Sequence, residues 1–387
     1  MVKRTLMRPT TGKTNNHHGF ESLKRSENSI FQKALKYNTQ RRELVCAVAL
    51  GLGLTGAALS REGLAASTTS TATKRGPGWI NPERLEAFFE LMRLRHGMEP
   101  DWLNARFQVL TQQDRALALM NPPPDRPAAD RPLPSLSRRL ARNLDERTVR
   151  EGRQLLASQA LFLERAEDLY GVPPEVVVGI LGVETRYGRI TGNFRALDTL
   201  ASLGFQGERR RDFFLKELES LLVMGRQGDV DLFKSKGSFA GALGIPQFMP
   251  SSWQAWGVDF DQDGRVDLIN SMADAMGSVA NFLKSHGWRR DVPSFAPLRL
   301  RPRDNPSDFL VTRLKAEHRL GDIDRAFPIP KSWRSLSEDL PASVIRLPEP
   351  DAAPVYWLVS ENFFAVTHYN RSYLYAASVL SLARAIA

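Results

Sequence analysis

The chain has 387 residues, enough for one large or two ordinary domains, and 42% of them are hydrophobic, which allows a sizeable core. Its formal net charge is +10, but residues 1–66 alone carry +7, which leaves +3 for the rest of the chain. So small a balance argues against a nucleic-acid partner.

The first 66 residues are predicted to be a signal peptide. The paired arginines Arg41 and Arg42 precede an apolar run over 44–59 that is too short to span a bilayer comfortably. Small residues at 64–66 provide a cleavage site. The arginine pair resembles a twin-arginine signal. The general export route and an uncleaved anchor remain the alternatives, and we expect a soluble periplasmic protein without a stable membrane anchor.

Cys46 is the only cysteine. It lies at the start of the apolar run and not after it, so it does not resemble a lipoprotein site. Cleavage near Ala66 leaves no cysteine in the mature chain, which excludes disulfides, thiol catalysis and cysteine-ligated zinc.

The remaining chain is predicted to be mainly α-helical, with a small β-rich part. Residues 67–78 are rich in Ser, Thr and Gly and predict a flexible linker. A helical core is predicted over 79–290, with a proline-rich loop at 122–134 and helical patterns at 144–170, 174–186, 208–224 and 271–286. We expect a β-rich insertion over 291–350, with strands at 309–314 and 343–347. The C-terminal segment, 351–387, ends in a helix over 373–386, and resemblance to a known family, described below, implies that it packs back on the core.

Glu184 is the leading catalytic candidate. It follows a run from Val176 to Val183 without a polar side chain, which predicts a buried helix starting at the proline pair 173–174 and stopping near Gly188. In the last turn of such a helix, both desolvation and the helix dipole raise the pKa of a carboxyl group. A carboxyl that stays protonated near neutral pH can act as a general acid. The structural alternative is an ion pair with Arg186.

Several blocks in one order resemble the lytic murein transglycosylase B family, from about Trp79 to Ala387. They are the Glu184 segment, the blocks at 192–200, 237–253, 259–265 and 277–282, and the C-terminal block 362–372. The resemblance implies a lysozyme-like helical core that cleaves the β-1,4 bond between N-acetylmuramic acid and N-acetylglucosamine in peptidoglycan. It also implies one catalytic acid, Glu184. Ordinary glycosidases need two carboxylates, and the sequence shows no second one in a comparable apolar setting, with Asp198 and Asp212 in amphipathic context.

A single acid suffices if the substrate supplies the nucleophile. Glu184 first protonates the leaving oxygen, and its carboxylate then takes the proton of the muramyl C6 hydroxyl as that oxygen attacks C1. The product is a 1,6-anhydromuramyl end, and no cofactor is needed for the chemistry. Hydrolysis by water, as in a muramidase, and non-catalytic binding of peptidoglycan are the alternative functions.

Seven residues are predicted to contact the glycan or its peptide through the same resemblance. Ser238 lies in a glycine-rich stretch, with a helix cap as its alternative role, and Gln247 and Phe248 follow, with Phe248 equally suited to the core. Arg209 and Arg210 match an arginine pair facing the acidic stem peptide, but Gly207-Glu208 precede them where relatives carry Tyr-Pro. A solvated charge run is their alternative. Tyr369 and Asn370 complete the set.

A structural calcium site is predicted from a loop that resembles the start of an EF-hand. Its acids alternate at Asp259, Asp261 and Asp263, and Gly264 permits the sharp turn. Arg265 occupies the next alternate position, and the family resemblance implies a longer loop whose closing acid is Asp274. A simple Asp-rich turn is the alternative.

Peptidoglycan strands are the expected partner of a monomer that works alone or with other cell-wall enzymes.

Overall fold

The computed structural model describes residues 74–121, 133–350 and 352–387. The predicted signal peptide, and the linker up to residue 73, lie outside these ranges. Within them the chain forms fifteen α-helices, with the following bounds: α1 Pro82–His96, α2 Pro100–Phe107, α3 Asp114–Met120, α4 Leu136–Asn143, α5 Glu146–Ser158, α6 Ala160–Tyr170, α7 Pro174–Thr185, α8 Ala196–Gln206, α9 Arg211–Gln227, α10 Pro250–Trp256, α11 Met272–Ser285, α12 Leu320–Ala326, α13 Lys331–Arg334, α14 Glu361–Thr367 and α15 Tyr373–Ile386. None of the described helices has the length and apolar composition that crossing a membrane requires.

Helix α7 carries Glu184 and is buried along nearly its whole length. Pro174 occupies its first turn, where a missing N–H costs nothing. The helix stops at Thr185 because Arg186, Tyr187 and Gly188 all adopt positive φ angles, of 52°, 61° and 87°. The amide of Arg186 then donates to the carbonyls of Gly182 and Leu181, which closes the helix.

Two glycines allow α15 to cross α7 at short distance. A Cβ atom added at Gly179 would lie 2.9 Å from the backbone oxygen of Val379, and one added at Gly182 would lie 2.8 Å from Leu382. Any larger residue would therefore push the helices apart. This approach brings the C-terminal helix against the helix that carries Glu184.

A four-stranded antiparallel sheet lies between α11 and α14 in the sequence. Its strands are β3 (Phe295–Pro297), β4 (His318–Arg319), β5 (Pro341–Leu347) and β6 (Val355–Ser360), in the order β3-β6-β5-β4. One face packs on α12 and α13 around Trp333, Ile323 and Val344. A two-stranded antiparallel ribbon precedes this sheet in the chain and consists of β1 (Phe194–Arg195) and β2 (Lys236–Gly237).

The β-rich part departs from the sequence-based expectation at two places. The strand expected at 309–314 is wrong, because Ser307–Phe309 forms a 3-10 turn and Leu310 makes only an isolated bridge to Val344. The sheet also continues beyond the expected boundary at 350, since β6 pairs with both β3 and β5. The strand at 343–347 is present as the inner part of β5.

The last residues of the expected linker are bound to the core. Arg75 forms a bridge with Thr111, and the amide of Gly76 donates to the carbonyl of Leu110 at 2.9 Å. Pro77–Trp79 then forms a 3-10 turn. Residues 74–78 are thus tied to the chain between α2 and α3, because backbone pairing outweighs the Ser/Thr/Gly-rich composition on which the linker prediction rested.

Candidate active site

Glu184 is a buried carboxyl group with one hydrogen-bond partner. Its side chain is 4% exposed, and the hydroxyl of Tyr375 donates to its Oε1 at 2.5 Å. Its Oε2 is also buried and has no hydrogen-bond partner among the described residues. Burial raises the pKa of Glu184 to about 8, although the Tyr375 hydrogen bond acts in the opposite direction. The carboxyl group is therefore protonated at neutral pH.

The alternative of an ion pair between Glu184 and Arg186 is wrong. The αL conformation of Arg186 turns its side chain away, toward α4 and α5. Its Nη1 lies 3.0 Å from Asp145 Oδ2, and its Nη2 donates to the carbonyl of Arg142 at 2.6 Å. Arg186 fixes the end of α7, and the pKa of Glu184 is not lowered by a salt bridge with it.

Tyr375 was missed by the sequence reasoning. It lies on α15, its side chain is 2% exposed, and burial together with Glu184 raises its hydroxyl pKa well above the usual value. It therefore remains a hydrogen-bond donor at every working pH. The two residues are far apart in sequence, and only the crossing of α7 and α15 joins them. The match of the C-terminal block to the family was the one sequence signal near Tyr375.

The loop that leads from β2 to α10 is held against the end of α7. The hydroxyl of Thr185 donates to the carbonyl of Ile245 at 2.8 Å. Gln247 adopts a φ of 53°, and its Nε2 donates to the carbonyls of Gly244 at 2.9 Å and Thr191 at 3.0 Å. The loop thus contacts the residue that follows Glu184 through Ile245, and the amide nitrogen of Gln247 is engaged within the protein.

An aromatic cluster packs against this loop. The Tyr369 ring stacks on Tyr375 with 6.4 Å between centroids, and its hydroxyl donates to the carbonyl of Pro246 at 2.9 Å. Phe248 is 2% exposed and packs on Tyr369 and Phe282 at 5.7 and 5.6 Å. Phe248 is therefore a core residue in this structure and offers no open face to a sugar. Asn370, 4% exposed, follows Tyr369.

Ser238 supports the beginning of the same loop. Its Oγ accepts hydrogen bonds from the amides of Ala240 at 3.3 Å and Ala242 at 3.0 Å. The alternative prediction for Ser238 was a helix cap. In the structure its side chain accepts hydrogen bonds from backbone amides of a turn instead. Its hydroxyl proton is not used in these two bonds, so Ser238 retains a donor.

The arginine pair lies at the start of α9. Arg209 is exposed, whereas Arg210 is half-buried and its guanidinium lies 4.2 Å from the ring centroid of Phe213. Burial lowers the pKa of Arg210 to about 10. The exposed Arg209 therefore fits the alternative prediction of a solvated charge. The half-buried Arg210 does not.

Three other buried acids within the described ranges are already engaged. Asp198 pairs with Arg195 and accepts from the amide of Thr111 at 2.9 Å. Glu217 accepts from the amide and hydroxyl of Ser251 at 2.9 and 2.7 Å, and burial raises its pKa to about 6. The third, Asp274, accepts from three backbone amides. Of these four buried acids, only Glu184 has a carboxyl oxygen without a hydrogen-bond partner among the described residues.

Glu217 is a buried acid that the sequence did not reveal. Its neighbours Lys216 and Glu219 give its helix an ordinary amphipathic pattern, which hid its burial. It holds the first turn of α10, the helix that follows Gln247 and Phe248. Its role in the described structure is to position that turn.

The predicted calcium loop brings together three of its acids. Asp259, Asp261 and Asp263 each offer a carboxylate oxygen within 4.8 Å of the others. Gly264 has a φ of 97° and its amide donates to Asp259 at 2.9 Å. Like charges this close repel, and a hard cation with oxygen ligands would offset the repulsion, so the residues fit calcium.

Asp274 has a different role from the one expected. Its side chain is fully buried, and its oxygens accept from the amides of Phe260, Asp261 and Asp267 at 2.7, 3.3 and 2.7 Å. It shapes the loop from inside and is not among the three clustered acids. The side chain of Arg265 turns to Asp267 at 2.9 Å, so only its backbone can face the cluster.

A buried carboxyl group that is protonated at neutral pH, held in a helical core, is the arrangement expected of a lysozyme-like enzyme that cleaves glycans by acid catalysis. The family model described as "Transglycosylase SLT domain" matches residues 81–384. The chain belongs to this family.

Known proteins of the same class are similar over most of their length. The chain is 34% identical over 315 residues to the membrane-bound lytic murein transglycosylase B of Escherichia coli K12, covering 81% of this chain and 85% of that protein. It matches the E. coli lytic transglycosylase Slt35 in complex with calcium at a TM-score of 0.69 and 33% identity, over 82% and 97% of the two chains. SltB3 of Pseudomonas aeruginosa, in complex with NAG-NAM-pentapeptide, matches at 0.67 and 30%, over 79% of each chain. The predicted family, fold class and enzymatic character are confirmed.

Proposed function

We propose that this protein cleaves the β-1,4 bond between N-acetylmuramic acid and N-acetylglucosamine in peptidoglycan and leaves a 1,6-anhydromuramyl end. The observation that carries the proposal is the state of Glu184: protonated, held at Oε1 by Tyr375, and without a partner at Oε2. A proton on Oε2 has no acceptor among the described residues, so it is available to a glycosidic oxygen.

Glu184 serves as both acid and base. It first protonates the leaving oxygen, and the hydrogen bond from Tyr375 stabilises the carboxylate that results. That carboxylate then takes the proton of the muramyl C6 hydroxyl as its oxygen attacks C1. Intramolecular attack competes with water because the nucleophile is already attached to the reacting sugar. The engagement of Asp198, Glu217 and Asp274 supports a single-acid mechanism.

The product and one substitution test this function. Mass spectrometry of purified sacculi after digestion should show anhydromuramyl ends, whereas reducing muramic acid ends would indicate a hydrolytic muramidase. Glu184→Gln should lower the rate by roughly 10²–10⁴-fold while the fold is retained, since an amide cannot donate and recover a proton. Binding of sacculi without any bond cleavage by the wild type would instead identify a non-catalytic binding protein.

The substrate contacts proposed beside Glu184 are Ser238, Gln247, Tyr369 and Asn370, with Arg210 and Arg209 toward the stem peptide. Support comes from the remaining donor of Ser238 and from the loop that links Gln247 to Thr185. Phe248 acts behind Tyr369 and not on the sugar. The SltB3 complex with NAG-NAM-pentapeptide supports a peptidoglycan ligand for the family.

We further propose a structural calcium ion at Asp259, Asp261 and Asp263 and export to the periplasm. The Slt35 structure in complex with calcium supports the first, and the signal-like sequence of residues 1–66 supports the second. N-terminal sequencing of the periplasmic form should begin near Ser67. A product that retains residues 44–59 would show that this segment is an anchor.

A further inference from the structure

The hydroxyl of Thr185 lies at a junction between the catalytic helix and the loop that leads from β2 to α10. Its side chain is fully buried, and its Oγ1 donates to the carbonyl of Ile245 at 2.8 Å. The same atom accepts from the amide of Gly188 at 2.9 Å. One hydroxyl therefore joins the last turn of α7, the left-handed turn that ends this helix, and the loop that carries Gln247.

The donor of Thr185 is directed to the loop and not to its own helix. A threonine in a helix commonly bonds the carbonyl four residues earlier. That carbonyl, of Leu181, lies 3.4 Å from Oγ1 and already accepts from the amide of Tyr187 at 3.1 Å. The bond to Ile245 is shorter by 0.6 Å, so it is the main contact of this hydroxyl.

Two further hydrogen bonds fix the same stretch of the loop. The amide of Ile245 donates to the carbonyl of Leu268 at 2.8 Å, and the hydroxyl of Tyr369 donates to the carbonyl of Pro246 at 2.9 Å. Both partners lie in segments that follow the loop in the chain. Of the three bonds, the one from Thr185 leads to the helix that carries Glu184.

We propose that Thr185 is a positioning residue whose hydroxyl sets the place of Gln247 relative to the carboxyl group of Glu184. The proposal rests on the function proposed above, in which Gln247 contacts the glycan. Thr185 directly follows Glu184, and Ile245 is two residues before Gln247, so the connection between acid and sugar contact is short. Because both groups must meet the same glycan strand, an error in their spacing weakens binding.

Removal of the hydroxyl tests this role. In Thr185→Val the volume is nearly constant, but the carbonyl of Ile245 and the amide of Gly188 lose a buried partner. KM for glycan strands should rise roughly tenfold, the scale of one buried hydrogen bond, with a smaller change in kcat. The alkaline limb of the pH–rate profile should not move, because the bonds of this hydroxyl go to the loop and the turn.

Binding to a catalytically inactive protein separates affinity from chemistry. Glycan strands are titrated into Glu184→Gln and into Glu184→Gln combined with Thr185→Val, and the second protein should show the same roughly tenfold increase in Kd. Thr185→Ala removes the hydroxyl without adding bulk, and it carries the test if the valine variant does not fold. Thr185→Ser keeps the hydroxyl and should restore most of the affinity.

Thr199→Val is the matched control. Thr199 is also fully buried, and its Oγ1 donates at 3.0 Å to the carbonyl of Arg195, at the start of its own helix α8. Loss of this hydroxyl should lower the free energy of unfolding and leave KM and Kd as in the wild type.

Three results would overturn the proposal. Unchanged KM and Kd without the hydroxyl would mean that it only stabilises the fold. An equal loss of affinity in Thr185→Ser or Thr199→Val would mean that packing or general destabilisation is responsible. A shifted alkaline limb, with or without a change in Kd, would mean that the hydroxyl acts on the acid.

Failure of the proposed function is recognised separately. Reducing ends in the sacculus digest of the wild type would refute the transglycosylase mechanism, but the Kd comparison would stand because it involves no bond cleavage. Unchanged affinity in the Thr185 variants of an enzyme that forms anhydromuramyl ends would refute only the positioning role.

Discussion

Glu184 retains its proton because the described part of the chain offers its carboxylate a single hydrogen bond. The apolar residues of α7 remove water, and Tyr375 supplies the one donor. This balance raises the pKa of Glu184 to about 8 and still leaves a donor ready for the charge that forms when the proton is transferred. The acid and its stabiliser come from helices that are distant in sequence.

Tyr375→Phe should slow the enzyme and raise the pKa of its acid. The hydroxyl stabilises the ionised form, so its loss should move the alkaline limb of the pH–rate profile to higher pH. We expect kcat to fall roughly tenfold to a hundredfold, the scale of a hydrogen bond to a charged group, with little change in KM.

Tyr373→Phe is the matched control for this experiment. Its hydroxyl lies on the same helix but donates to the carbonyls of Val311 and Arg313, at 3.2 and 2.7 Å, away from the acid. The control should leave the pH–rate profile unchanged. Identical profiles for Tyr375→Phe and the wild type would contradict the assigned role of Tyr375.

The acid itself was predictable from sequence, whereas its chemical partners were not. Eight consecutive residues without a polar side chain, just before Glu184, predict that it is buried. Tyr375 lies in a helix whose pattern resembles that of any core helix, and its importance arises only from its proximity to Glu184 in three dimensions. For the same reason the ion pair with Arg186 could not be excluded until the αL turn at the end of α7 was known.

The crossing of α7 and α15 should be sensitive to one methyl group. In Gly179→Ala the new Cβ would lie 2.9 Å from the backbone oxygen of Val379, which cannot move aside independently of α15. Although alanine favours helix formation, we expect the variant to lose roughly 1–3 kcal/mol of unfolding free energy, as is typical of overpacking. Chemical denaturation gives this value, and activity should fall further because Tyr375 moves away from Glu184.

Gly78→Ala provides the control, since nothing lies within 4 Å of the added Cβ atom. It should be close to neutral in both stability and activity. If Gly179→Ala were as stable and as active as the wild type, the close approach of the two helices would not be what aligns the catalytic pair.

Calcium should raise the melting temperature through the loop at 259–264. A metal bound only by the folded protein stabilises it by mass action. Asp261→Ala combined with Asp263→Ala should abolish the calcium-dependent rise and leave activity at low temperature largely intact. Asp229→Ala, an exposed acid outside the loop, should preserve the rise.

Two outcomes of the calcium experiment would contradict the proposal in different ways. If millimolar calcium leaves the wild-type melting temperature unchanged, the loop is a simple Asp-rich turn. If the double variant is folded but inactive, the ion acts closer to the chemistry than a structural role implies.

Element boundaries were predictable where the sequence pattern was strong. The helix at Tyr373–Ile386 and the strand within Pro341–Leu347 follow their patterns closely. The strand expected at 309–314 failed because alternation alone does not supply a pairing partner, and only Leu310 finds one. Strand β6 fell outside the expected insertion since its place in the sheet depends on β3, far away in sequence, as well as on the neighbouring β5.

At the scale of the whole molecule, the catalytic acid should reduce stability as pH rises. Glu184 has a folded-state pKa of about 8 against an ordinary value of 4.5. Between these pH values the unfolded chain releases the proton while the folded protein keeps it, so the free energy of unfolding falls with increasing pH. Each unit of pKa difference corresponds to about 1.4 kcal/mol.

Glu184→Gln should remove this dependence. Its stability relative to the wild type should be similar near pH 4.5, should increase steadily up to about pH 8 and should then level off. Urea denaturation across this range measures it, with the exposed Glu86→Gln as control. Parallel stability curves for Glu184→Gln and the wild type would mean that the acid is not held protonated by burial.

The pairing of Tyr375 with Glu184 also has a consequence for biosynthesis. The ribosome synthesises α7 long before α15. A nascent chain therefore contains Glu184 before it contains the Tyr375 hydroxyl and the helix that packs against α7. Translation that stops anywhere before Tyr375 yields a polypeptide that cannot assemble the reactive pair. The proposed catalytic site is therefore complete only in chains whose synthesis has passed α15.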